Sequence, residues 1–133
     1  MSSLPAFLTV CGNIIYFIAN DEIHGRELWK TDGTERSTSM VKNIWEGSSG
    51  SMSSTNSQRV ICRGNKLLFA ASDGKLGLEL WETNGTSKGT HLIRDFSSGL
   101  SSSNPQGFTP AGNLIFFKVH AGIHGESLWA IPK

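Results

Sequence analysis

Charge, cysteine and long apolar runs are all scarce in this chain. Lys and Arg number 12 against 11 Asp and Glu in 133 residues, 17% charged in all, with a formal net charge of +1. Soluble domains usually carry nearer to about 25%. No basic field is present to attract a phosphate backbone, and no acidic tail to imitate one, so nucleic acid is not an expected partner. No apolar run approaches the ~18 residues of a spanning helix, so membrane insertion is not expected. The opening MSSLPAFLTVCGNIIYFIAND has no basic lead, and Pro5, Gly12 and Asn13 interrupt it, so it does not read as a signal peptide.

Two cysteines are too few for a disulfide scaffold. A chain of this length is one domain's worth and can bury a core without staples. Cys11 and Cys62 are also one step out of phase in the repeat described next, where Cys11 aligns with Arg63 and Cys62 with Val10. Successive strand residues face opposite ways, so the expectation is two free, partly buried thiols.

What the chain does contain is repetition. GRELWKTDGTERST (25–38) returns as GLELWETNGTSKGT (77–90), and part of it a third time as GESLWAIPK (125–133). Three Gly-Asn pairs, Gly12-Asn13, Gly64-Asn65 and Gly112-Asn113, each sit between two β-prone runs, a tight-hairpin signal that asks for positive φ. A polar loop with Gly25, Gly77 or Gly125 follows, then an alternating run in which Leu28, Leu80 and Leu128 face one way and Trp29, Trp81 and Trp129 the other. The Asp-Gly or Asn-Gly next in line favours a type I′ hairpin. A fourth run, SMVKNIW or THLIRDF, completes the unit, and Ser/Gly-rich links join the units.

The unit is therefore four antiparallel strands, a to d, and the chain reads abcd, abcd, abc, with units of about 2–49, 50–100 and 101–133 in a single repeat domain. No segment shows a capped helical period. Sheets with two apolar faces must stack on like sheets, and radial stacking of four-stranded meanders at this period is the β-propeller. The expected fold is all-β: a partial β-propeller of two complete blades and three strands of a third. The alternative is a β-trefoil, which would be complete in one chain but needs twelve strands against the eleven read here. With the third unit lacking its d strand, association into a homo-oligomer, or origin as part of a longer chain, is expected over a self-sufficient monomer.

ELWKTDGT (Glu27–Thr34) and ELWETNGT (Glu79–Thr86) resemble the ELWxxDGT repeat of large bacterial secreted or surface proteins, and GNIIYFIANDEIHG and SSSNPQGFTPAGN resemble its flanking segments. The arrangement is also similar, more distantly, to TolB-type propeller repeats. The resemblance implies propeller-like repeats with a binding or surface role, in an extracellular or cell-surface setting. It names no reaction. Unit two has TNGT for TDGT; unit three has Ala121 for Asp21 and Asp73, and Ser127 for Glu27 and Glu79.

In an up-and-down meander the b–c loops and d–a links share one end. That end gathers Asn20, Asp21, His24, Asp73, His120 and His124 as candidate ligand-binding residues, with the links 47–54 and 97–104. His24 and His124 occupy one slot, but Leu76 holds it in unit two, so neither a metal nor any other cofactor is expected. Asp21 and Asp73 read as turn caps before calcium ligands. The three repeated tryptophans read as packing between sheets before sugar platforms, and Trp45 is left open as core edge or contact residue. Asn84-Gly85-Thr86 reads as a turn before a glycosylation acceptor. No catalytic constellation is recognisable. The expected function is a non-enzymatic binding or scaffolding module contacting a protein or glycan; the alternatives are a purely structural, self-assembling repeat segment and a trefoil lectin.

Overall fold

A computed structural model of the chain describes residues 2–52, 59–97 and 101–133. The link segments 53–58 and 98–100, including part of both expected d–a links, lie outside the described residues. The protein is all-β. Eleven strands run in chain order: β1 (Ala6–Cys11), β2 (Ile14–Asn20), β3 (Arg26–Thr31), β4 (Ser39–Met40), β5 (Val60–Arg63), β6 (Lys66–Ala71), β7 (Glu79–Thr83), β8 (His91–Arg94), β9 (Gln106–Ala111), β10 (Leu114–His120) and β11 (Glu126–Pro132). They form three separate antiparallel meanders, β1-β2-β3-β4, β5-β6-β7-β8 and β9-β10-β11. Among the described residues no barrel closes, which the trefoil alternative requires.

The a–b turns are two-residue hairpins, with Cys11 opposite Ile14 in the first. Only the glycine is left-handed, at φ 65°, 62° and 60° for Gly12, Gly64 and Gly112. That is the φ pattern of a type II′ turn. The expected type I′ hairpin after β3 and β7 is not formed. Gly33 and Gly85 have positive φ, but Asp32 and Asn84 do not. A longer loop runs from Thr31 to Ser39 instead, closed by side chains. Thr31 Oγ1 bonds Thr38 Oγ1 at 2.8 Å, and Asp32 Oδ1 accepts from Thr34 N at 3.0 Å and from the Ser37 hydroxyl. Thr83 with Thr90, and Asn84 with Thr86, repeat the arrangement. Asp and Asn act here as Asx-turn acceptors, which does not require positive φ.

Two apolar clusters lie between the sheets. The first joins Tyr16, Ile18 and Leu28 of one sheet to Leu67, Phe69, Ala71 and Trp81 of the next. The second joins Leu68 and Leu80 to Ile115, Phe117 and Val119, with Trp129 against it. The leucine side of each sheet therefore meets the tryptophan side of its successor. Arg94 lies over the Trp129 ring at 4.7 Å and Phe96 meets that ring edge-on at 4.9 Å, contacts worth about 0.5–1.5 kcal/mol each beyond burial. Trp81 is 8% exposed; Trp29 and Trp129 are half-buried. The tryptophan side of the first sheet has no sheet against it among the described residues, and Leu128 on the far side of the third is 73% exposed.

The expectation of free thiols is overturned: Cys11 and Cys62 form a disulfide with Cα atoms 5.3 Å apart. The physical reason lies in the stacking. Opposite sides of successive sheets face each other, so residues on different faces converge. The one-step offset that seemed to separate the cysteines aims them together across the β1–β5 joint. The bridge spans 51 residues of sequence. Reduction is expected to lower stability by about 2–4 kcal/mol and the melting temperature by roughly 10 °C. Calorimetry with and without reductant measures this, and an unchanged transition would show the staple to be redundant.

Candidate functional site

The end that carries the b–c loops and d–a links is built around two buried glutamates. Glu27 is 0% exposed. Its Oε1 accepts from Trp45 N and Ser51 N, both at 3.1 Å, and its Oε2 from Ile44 N at 3.4 Å and Ser51 Oγ at 2.5 Å. Glu79, equally buried, accepts from Ser103 N at 3.0 Å, Phe96 N at 2.9 Å and Ser103 Oγ at 2.5 Å. Burial pushes both carboxyls above their usual range, and these donors pull the other way. Each glutamate clasps the end of its own fourth run and the link to the next unit. This also shortens β4 to Ser39–Met40: beyond it, the Glu27 carboxylate, not a neighbouring strand, takes the Ile44 and Trp45 amides.

Backbone packing locks the loops onto the links. A Cβ on Gly25 would lie 2.5 Å from Ser48 O, and one on Gly50 2.2 Å from Arg26 N. Ser72 N donates to Ser51 O at 3.0 Å, His120 N to Ser103 O at 2.6 Å and Asn20 N to Ser3 O at 2.9 Å. In the third sheet, where Ser127 replaces the glutamate, nothing lies within 4 Å of a Cβ on Gly125.

The six candidate residues are distributed over this end and do not converge on one point. Asp21 Oδ1 accepts from Ile23 N at 3.0 Å and His24 N at 2.7 Å, while its Oδ2 meets His24 Nδ1 at 2.6 Å. Asn20 Oδ1 accepts from Glu22 N at 2.7 Å. Asp73 Oδ1 accepts from Lys75 N at 2.8 Å and Leu76 N at 3.0 Å. For Asp21 and Asp73 these are the turn caps expected of them. His120 is exposed at the end of β10, and His124 is exposed in a 3-10 turn, Gly122–His124, whose cap position holds Ala121 with no side-chain bond. Among the described residues no group of three His, Cys, Asp or Glu is placed to hold a metal ion. Among the described residues no helix is long and apolar enough to cross a membrane.

Sequence reasoning left two features of this end unassigned. The loop tips expose Ile23 (70%) and Ile123 (98%), which the recurring Ile-His-Gly at 23–25 and 123–125 could have signalled. Trp45 reaches across the joint between the first two sheets: a Cβ on Gly74 would lie 2.7 Å from its ring. With Trp81, Lys42 and Asp73 it lines a cleft of about 480 Å³. No protein-family model matches the chain, and neither a curated protein nor a solved structure matches it.

Two outcomes are expected from substitution and pH. Glu27→Gln turns an amide NH₂ toward backbone donors and is expected to destabilise by about 2–4 kcal/mol, whereas Ser127→Glu, in the unclasped third sheet, is expected to change stability by less than ~0.5 kcal/mol. Urea unfolding of both variants reads the difference; equal effects would refute the clasp. The amide and side-chain bonds from His24 hold the Asp21 carboxyl at about 2. Its contribution to stability is therefore complete above the ordinary carboxylate range near ~3.9 and lost as pH falls toward its folded value. Carbon-detected NMR titration should place the Asp21 midpoint near that value and show it rising in His24→Ala.

Proposed function

We propose that this chain is a non-enzymatic binding or scaffolding module built from propeller-type repeats, contacting a protein or glycan through the end that carries the b–c loops and d–a links. The observation that carries this reading is how the recurring acids are used. Glu27 and Glu79 hold links, and Asp21 and Asp73 cap loops, so each stiffens a presenting surface and none is directed at a reaction centre. Loops held this firmly, with exposed isoleucine at two tips, suit recognition by a preformed surface.

The resemblance to ELWxxDGT repeats favours a place in a larger secreted or surface protein, and the Cys11–Cys62 bridge fits an oxidising compartment. Self-assembly is a second reading, favoured by the free edge of β11 and by exposed Leu128. A combined glycan-array and surface-protein capture screen tests the first. Capture is expected to weaken in His24→Ala and His124→Ala, with folding retained, and to be unchanged by Asn65→Ala at the opposite end. A screen that returns no specific ligand, while light scattering shows mass growing with concentration, would replace it with the second.

A further inference from the structure

The cleft between the first two sheets differs from its neighbours in one respect. In the first b–c loop both oxygens of Asp21 are occupied, Oδ1 by backbone amides and Oδ2 by His24. In the second loop Leu76 stands where His24 stands in the first. Asp73 Oδ1 still caps the loop, but Oδ2 has no partner among the described residues. That carboxylate belongs to a cleft of about 480 Å³ that it lines with Trp45, Trp81, Lys42, Glu46 and Lys75. The Lys42 ammonium is fixed by Thr90 O at 3.2 Å, and the Trp45 ring rests against Gly74.

The charges in this cleft cancel in number: it is lined by two lysines, Lys42 and Lys75, and two acids, Glu46 and Asp73. A strongly anionic or cationic ligand would therefore gain little from the field and leave one pair unanswered. What remains is the partly exposed Trp45 indole, beside the nearly buried Trp81, among lysine donors and carboxylate acceptors. Such a surface is complementary to a pyranose ring, which offers axial C–H groups to an indole face and a rim of hydroxyls able both to donate and to accept. We infer that the cleft between Trp45 and Asp73 binds a neutral oligosaccharide, with Trp45 as stacking platform and Asp73 Oδ2 accepting from sugar hydroxyls. The inference rests on the binding-module reading and names the ligand class of the same face.

The test is an array of neutral oligosaccharides, followed by calorimetry of the full chain with any that bind, with a heparin hexasaccharide and a basic peptide as charged comparators. At least one neutral glycan is expected to bind saturably. Asp73→Asn, whose carbonyl can still cap the loop, and Trp45→Ala are each expected to raise Kd at least ~10-fold; Trp45→Phe, which keeps a ring on Gly74, should fall between. Asn65→Ala should leave Kd unchanged. No binding across the neutral array, binding of the charged comparators only, or Kd unmoved in Asp73→Asn and Trp45→Phe would each overturn the inference. A protein captured through the same loops with no glycan bound would overturn the ligand class and leave the module reading standing.

Discussion

A carboxylate that accepts only from its own chain is the constraint on which this structure depends. A buried charge is costly unless its hydrogen-bonding capacity is met. Glu27 meets it with four donors and Glu79 with three, supplied by the end of the fourth run and by a serine of the next link. Among the described residues no cation reaches either group, so the bonds are to backbone amides and a hydroxyl, whose positions follow from the fold itself. The carboxylate acts as a portable acceptor. It ends the fourth strand, turns the chain, and fixes where the next sheet begins.

The clasp sets the joint between sheets, and the joint sets what the two faces carry. Because the leucine side of one sheet meets the tryptophan side of the next, Tyr16, Ile18 and Leu28 receive Trp81, and Leu68 and Leu80 receive Phe117 and Trp129. Lys30 Nζ on Gly85 O at 2.6 Å, and Arg63 Nε on Pro132 O at 2.7 Å, close the same joints at the opposite end. The disulfide adds a covalent tie between first strands in the first joint. Its geometry follows from the same rule of unlike faces.

Strand order, strand number and the shared end of loops and links were legible because each rests on a local signal: alternation, Gly-Asn turns, Ser/Gly-rich links. The cysteine pairing was not. Phase along a strand says which face a residue takes but not which face of the neighbour it meets, and that depends on how the sheets stack. The turn after β3 was misread because Asp32 and Asn84 use their side chains, where a type I′ turn would use the backbone conformation. The clasp left a readable trace, since Glu27 and Ser51 stand as far apart as Glu79 and Ser103. It went unrecognised because glutamate in a repeated motif resembles surface decoration until its burial is known.

The positions that recur explain architecture, so in the proposed binding-module reading recognition falls to the positions where the units differ. Asp21 with His24, Asp73 with Leu76 and Ala121 with His124 place three different chemistries on equivalent loops: a closed acid–imidazole pair, an acid with one oxygen unclaimed among the described residues, and an exposed imidazole. Trp45, matched by Phe96 in the next unit, adds an indole at only the first joint. Identical loops would present a uniform ring of turns with no preferred point of contact. Dissimilar groups on one rigid frame give a surface with direction, and the second loop places Asp73 in the same cleft as the Trp45 indole.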